Sequence, residues 1–167
     1  MFFEEILREL DRRKIRYLVI GGMAVNLYGF NRITGDLDIM VSFEPENLEK
    51  LVGMLKNLGW KPKVPVGIEE LADTGKLEAW KKEKHMKVFS VYNPEREAEH
   101  MDIMIDNPLD FNRAEKKKSE IKAGDIVIPI ISIDDLIKTK QIAGRERDKI
   151  DIRALKKIRE LKNENKI

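Results

Sequence analysis

The chain has 167 residues, 37 % of them charged, yet 32 Lys+Arg against 30 Asp+Glu leave a net charge of only +2. That balance excludes a global basic field for nucleic acid and leaves only local basic patches open. The absence of cysteine excludes thiolate chemistry, cysteine-ligated zinc and disulfides, and fits a reducing cytoplasm. No segment approaches the roughly eighteen apolar residues of a membrane span, and residues 1–8 lack the basic flank and apolar run of a signal peptide. A cytoplasmic protein with no membrane partner is therefore expected. The length fits one domain over 1–167, with a helical portion at about 132–167. The abundance of Lys, Glu and Arg resembles the proteome of a heat-adapted organism.

The predicted elements begin with an amphipathic helix over Phe2–Lys14, where Phe3, Ile6, Leu7 and Leu10 recur at helical spacing between charges. Tyr17–Ile20 reads as a buried strand ending at Gly21-Gly22, Met23–Tyr28 as a short helix stopped by Gly29, and Asp36–Ser42 as a second strand. Pro45 opens a helix through Leu58 with Leu48, Leu51, Val52, Leu55 and Leu58 on one stripe and Gly59 as its stop. In 60–82 the pattern weakens to a short extended piece after Trp60 and a helical turn over Ile68–Ala72, with both Trp60 and Trp80 expected in the core. Alternation predicts strands over Lys84–Tyr92 and His100–Ile105, joined by a polar connection through Asn93 as an antiparallel hairpin. Arg113–Lys118 reads as a solvated helix surface or an RNA-phosphate contact. Ile126–Ile131 is a short strand that Pro129 relegates to a sheet edge or strand end. Ser132 caps a helix broken by Gly144, and a last helix over Arg147–Lys162 is expected to bury Ile150, Ala154, Leu155, Ile158 and Leu161. The fold class expected is α+β, a mixed β-sheet with helices packed on one face and a C-terminal helical element.

Candidate chemistry concentrates in Asp36 and Asp38. Residues i and i+2 of a strand project to one face, about 6.6 Å apart. Two carboxylates held so repel one another unless a cation lies between them, and hard oxygen ligands suit Mg²⁺. A solvent-facing strand is the plainer alternative. Asp102 stands mid-strand among Met101, Ile103, Met104 and Ile105; it is either a third carboxylate of a two-metal clasp or a strand charge paired to a lysine. Gly21-Gly22 is either an ordinary strand-to-helix turn or one whose amides approach a triphosphate closely. His100 reads as a surface residue rather than a metal ligand. Lys140, Arg145 and Asp148 could equally form a salt-bridged helix face.

Taken together, Gly21-Gly22, then Arg32-x-Thr34-x-Asp36-x-Asp38, then the lone strand Asp102 resemble the polymerase-beta-like nucleotidyltransferase superfamily. Lys140-x-x-Ala143-x-Arg145-x-x-Asp148 is similar to the element of its branch of minimal nucleotidyltransferases that includes the AbiEii-type toxins. The resemblance implies a nucleotidyltransferase-like fold and transfer of a nucleoside monophosphate from an NTP, with two Mg²⁺ ions, to an RNA 3′ end, a protein or a small molecule such as an aminoglycoside. It implies Asp36, Asp38 and Asp102 as metal ligands, with Asp102 also the candidate base. Gly21 and Gly22 would frame the triphosphate, Arg32 and Thr34 would contact the nucleotide or only brace the loop before the acidic strand, Lys140 and Arg145 would meet phosphate oxygens, and Asp148 would orient one of those cations or take part in the site directly. Many members carry Ser after the glycine where this chain has Met23, so phosphate contact there would be through the backbone alone. A silent module binding a nucleotide or a partner, in a toxin–antitoxin system or outside one, is the alternative reading.

Overall fold

Asp36–Val41 (β2) is the strand around which the protein is organised, because its two faces have opposite chemistry. Leu37 and Ile39 are fully buried, whereas Asp36 and Asp38 project to the other side and stay partly exposed. The computed structural model describes residues 3–165. Tyr17–Ile20 (β1) runs antiparallel to β2, and Arg96–Met104 (β5) runs parallel to it on the other side. Beyond β5 lie Val88–Asn93 (β4) and the two-residue strand Lys61–Pro62 (β3); beyond β1 lie Ile126–Ile130 (β7) and Ser119–Ala123 (β6). The seven-stranded mixed sheet has the order β3-β4-β5-β2-β1-β7-β6.

Register carries the two-faced character of β2 across its neighbours. Leu37 lies beside Met101 and Val91, and Ile39 beside Ile103 and Phe89, all of them buried. The opposite rows are Asp38–Asp102–Ser90 and Asp36–His100–Tyr92. The period of two along each strand thus separates a core face from a polar face.

Helices pack against the sheet and against one another. They are Glu4–Arg12 (α1), Gly21–Leu27 (α2), Pro45–Asn57 (α3), Thr74–Lys84 (α4), Phe111–Lys116 (α5), Ile133–Ala143 (α6) and Glu146–Glu164 (α7), with a 3-10 turn at Ile68–Ala72. Helix α3 buries Leu48, Leu51, Val52 and Leu55 and packs against α1. Trp80 of α4 stacks on Phe89 of β4 with ring centroids 5.7 Å apart. Trp60 and Trp80 both belong to the core. Ser132 accepts a hydrogen bond from the Asp135 amide and so starts α6, which ends at Gly144 with φ +63°. Phe2, the first residue of the expected N-terminal helix, lies outside the described residues.

Four expectations are corrected. Of the two places Pro129 allowed, the sheet edge fails and the strand end fits: β6 adds outside β7, and Pro129 is the penultimate residue of β7, one before Ile130, where β7 meets β1. The missing N–H of proline is therefore tolerated inside the sheet. The polar stretch expected to link β4 and β5 is mostly strand; the turn narrows to Pro94-Glu95, and a bulge next to Asn93 absorbs the extra residues. Helix α4 occupies the end of the weakly patterned region, where no helix was expected. Finally, α7 is rotated from its expected stripe, leaving Ile150 52 % and Leu161 49 % exposed, while Asp148, Asp151 and Leu155 are buried.

Candidate active site

The polar rows of β2 and β5 form the floor of a cleft of about 650 Å³. Gly21, Gly22, Arg32, Thr34, Asp36, Asp38, Asp102, Lys140 and Arg145 all line it, so the residues singled out from three separated stretches of sequence converge there. Asp148 lies just behind, in contact with two of them.

Asp38 and Asp102 are register partners on parallel strands, which places their Cα atoms about 4.8 Å apart. Burial pushes the Asp38 carboxyl up to about 6, and the charges of Asp102 and Asp36 add to that rise, against opposing pulls from the Gly22 backbone and Lys140. Ser90, the register partner of Asp102 on β4, donates a 2.6 Å hydrogen bond to its Oδ1. That bond fixes the carboxylate and leaves Oδ2 for another partner. His100 sits beside Asp36, its Nδ1 3.6 Å from Oδ1, and Nδ1 is also 2.9 Å from Lys63 Nζ.

The double glycine is required by space as well as by backbone geometry. Gly21 has φ +63°, and a Cβ there would lie 2.1 Å from Asp38 Oδ2. A Cβ on Gly22 would lie 2.8 Å from Thr34 Oγ1 and 3.2 Å from Arg32 Cζ. A side chain at either position would therefore push Asp38, or Thr34 and Arg32, out of place. Helix α2 begins at Gly21 itself. Met23 does not line the cleft but a separate hollow shared with Leu7, Val19, Leu27 and Ile128 and with Asn26, Arg32 and Thr34, so the polar donors that remain at this turn belong to the backbone.

The loop before β2 is held at both ends. The Asn26 amide accepts from the Arg32 backbone N–H at 3.0 Å and donates to the Arg32 carbonyl at 2.9 Å. Thr34 Oγ1 donates to the Asp36 carbonyl at 3.4 Å. The Arg32 guanidinium crosses the cleft to Asp151 Oδ2 on α7, 2.6 Å away.

Lys140 projects from α6 and is only 4 % exposed. Its ammonium meets Asp151 Oδ2 at 2.7 Å and Asp148 Oδ1 at 3.4 Å. Asp148 also accepts from the Arg145 backbone N–H at 3.1 Å and from Arg145 Nε at 2.8 Å, closing the first turn of α7. Burial alone would raise the Asp148 carboxyl, but the bonds to Arg145 together with the charges of Lys140 and Arg145 outweigh it and hold it below the ordinary value. The salt-bridged helix face and the cleft-lining cations are thus the same residues.

Sequence reasoning missed three contributors: Asp151, Ser90 and Asn26. Asp151 carried a usable signal, since Asp148, Asp151 and Leu155 follow the i, i+3, i+7 spacing of a buried helix face. Ser90 could have been found only by fixing the register of β4 against β5. Nothing in the local sequence marks Asn26.

As a donor set the carboxylates suit a hard divalent cation: all are oxygen ligands, and Asp38 carries the electrostatic cost of two acidic neighbours. Among the described residues, no three acidic, imidazole or thiol side chains close into a ready-made metal cage. A shell here would have to be completed by water or substrate oxygens, the usual habit of Mg²⁺.

Solved structures share this architecture. The lincosamide antibiotic adenylyltransferase LnuA, in its lincomycin-bound form, superposes with a TM-score of 0.61 at 23 % identity, covering 92 % of this chain and 94 % of that one. The fold is that of the nucleotidyltransferases. ANT(2″)-Ia in complex with adenylyl-2″-tobramycin gives 0.56 at 17 % identity over 95 % and 91 % of the two chains. An antigenic nucleotidyltransferase-like protein from Paracoccidioides brasiliensis gives 0.58 at 15 % identity over 94 % and 73 %. No protein-family model matches the chain, and no curated protein matches it. The nucleotidyltransferase-like fold expected from the motifs is thus observed, without singling out the AbiEii-type branch.

Proposed function

We propose that this protein transfers a nucleoside monophosphate from an NTP to an acceptor hydroxyl, releasing pyrophosphate. The observation that carries the reading is the pairing of Asp38 with Asp102 across β2 and β5, with Gly21 pressed against Asp38, on a nucleotidyltransferase fold. Asp36, Asp38 and Asp102 would hold two Mg²⁺ ions, which would neutralise charge on the transferring phosphoryl group and the leaving pyrophosphate. The protein's own groups do the rest. Asp102, oriented through Ser90, takes the proton of the acceptor hydroxyl as its oxygen attacks the α-phosphorus. Backbone amides of the Gly21-Gly22 turn, with Lys140 and Arg145, receive the triphosphate oxygens. Arg32 and Thr34 hold the loop that roofs them.

A small-molecule hydroxyl is the acceptor this reading favours, because two of the fold neighbours are antibiotic-modifying proteins crystallised with lincomycin or an adenylylated tobramycin. An RNA 3′ end or a protein hydroxyl is tested in the same assay. Purified protein is incubated with Mg²⁺ and each α-labelled NTP in turn, together with total RNA, cell proteins or a panel of hydroxylated antibiotics. Label should pass to one acceptor class, and Asp36→Asn and Asp38→Asn should each abolish transfer while leaving the protein folded. Transfer by the doubly substituted protein at the parental rate would sink the site assignment. Nucleotide-dependent thermal stabilisation with no transfer to any acceptor would instead favour the silent-module reading.

A further inference from the structure

Asp151 is 2 % exposed and lies outside every motif that marks the cleft. One of its oxygens, Oδ2, accepts from both Arg32 Nη1 at 2.6 Å and Lys140 Nζ at 2.7 Å. The two cations come from different elements, Arg32 from the loop before β2 and Lys140 from α6, and both line the cleft. A single acceptor atom within hydrogen-bond distance of both fixes their separation more tightly than two independent ion pairs would. Each cation also has capacity left over. An ammonium has three donors, and Asp148 and Asp151 account for two of those of Lys140. Arg32 spends Nη1 on Asp151 and offers only a 3.4 Å bond from Nε to the Ile33 carbonyl. The cluster of Arg32, Lys140 and Arg145 against Asp148 and Asp151 retains one unit of positive charge beside the cleft.

We infer that Asp151 is a positioning residue for the polyphosphate: it sets the spacing of Arg32 and Lys140 so that their remaining donors converge on phosphate oxygens. This rests on the reading that the cleft takes an NTP. Two features separate it from a plain structural salt bridge. The Arg32 side chain remains 20 % exposed, and its backbone is independently clamped by Asn26, so the loop does not need Asp151 to stay in place. Asp148, not Asp151, closes the first turn of α7.

The test compares two probes on the full chain: inorganic tripolyphosphate with Mg²⁺, read by calorimetry, and Mn²⁺ alone, read by electron paramagnetic resonance. Asp151→Asn should weaken tripolyphosphate binding on the order of 10–100-fold, the size of loss typical when a group orienting a metal-ligating side chain is removed. Binding of Mn²⁺ at the acidic strands should be unchanged. Unchanged tripolyphosphate affinity overturns the inference, and so does an equal loss of both probes, which would mark Asp151 as scaffold only. If Asp151→Asn fails to fold, Asp151→Glu decides: it keeps the charge but moves it by one methylene, and must show the same selective loss. A wild-type protein that binds no tripolyphosphate overturns the functional reading as well, whereas wild-type binding with an indifferent variant overturns this inference alone.

Discussion

Asp38 and Asp102 face the same side of the sheet as direct partners on parallel strands, and among the described residues neither has a basic side chain within hydrogen-bond distance. The burial of Asp38, and after it the charges of Asp102 and Asp36, appear as pH dependence. Asp38 titrates near 6 rather than 3.8 in the folded chain, so its protonated form favours folding. That contribution is fully present below about pH 4 and is lost as pH rises through 6, up to about 3 kcal/mol in total. In EDTA, Asp38→Asn should therefore melt above the parent at pH 7.5 and converge with it near pH 4. With Mg²⁺ the parent should regain its deficit at neutral pH. A difference profile independent of pH would contradict the placement of Asp38.

Gly21→Ala introduces a Cβ at 2.1 Å from Asp38 Oδ2, at a φ of +63°. Left-handed backbone costs a non-glycine residue roughly 1–2 kcal/mol, and the displaced carboxylate adds to that. The expected result is a clear drop in melting temperature together with loss of nucleotide transfer. Gly35→Ala on the loop before β2, where a Cβ would meet nothing within 4 Å, should leave both nearly intact.

Ser90→Ala removes the 2.6 Å bond to Asp102 Oδ1 without creating a large cavity. Stability should fall by only about 1 kcal/mol. Divalent-metal affinity, followed by Mn²⁺ titration, should fall about tenfold or more as the carboxylate loses its fixed orientation. Ser90→Thr should recover most of it.

Asn26→Ala frees the Arg32 backbone from both of its hydrogen bonds. We expect about 1–2 kcal/mol of destabilisation. In steady-state kinetics, KM for the NTP should rise more than kcat falls, because the loop borders the cleft but carries no reacting atom.

Where the chain alternates or repeats with a clean period, the sequence foretold the architecture. Leu37, Ile39, Met101 and Ile103 announced their strands, Leu48 to Leu55 their helix, and Ser132 and Gly144 the ends of α6. The acidic triad was readable because three carboxylates interrupt otherwise apolar strands. What stayed hidden depends on partners distant in sequence. Pro129 looked like an edge signal because one cannot see, from 126–131 alone, that β1 begins pairing only at Ile130. Ile150 and Leu161 looked buried because apolar residues usually are; α7 instead turns inward the face bearing Asp148 and Asp151, whose desolvation is offset by Lys140, Arg32 and Arg145. Helix α4 has a weak apolar stripe, with only Leu77 and Trp80 buried, so periodicity had little to report.

The bridge from Asp151 to Arg32 also bears on the order in which the molecule matures. Every catalytic carboxylate proposed here has been synthesised by residue 102, yet Lys140 and Arg32 find their shared counterion only when residue 151 arrives. Because chains emerge N-terminal end first, the sheet can be assembled on the ribosome while the cleft still lacks its electrostatic keystone. A nascent chain stalled before the last helix would carry the acids in place and the phosphate-side cations unmoored.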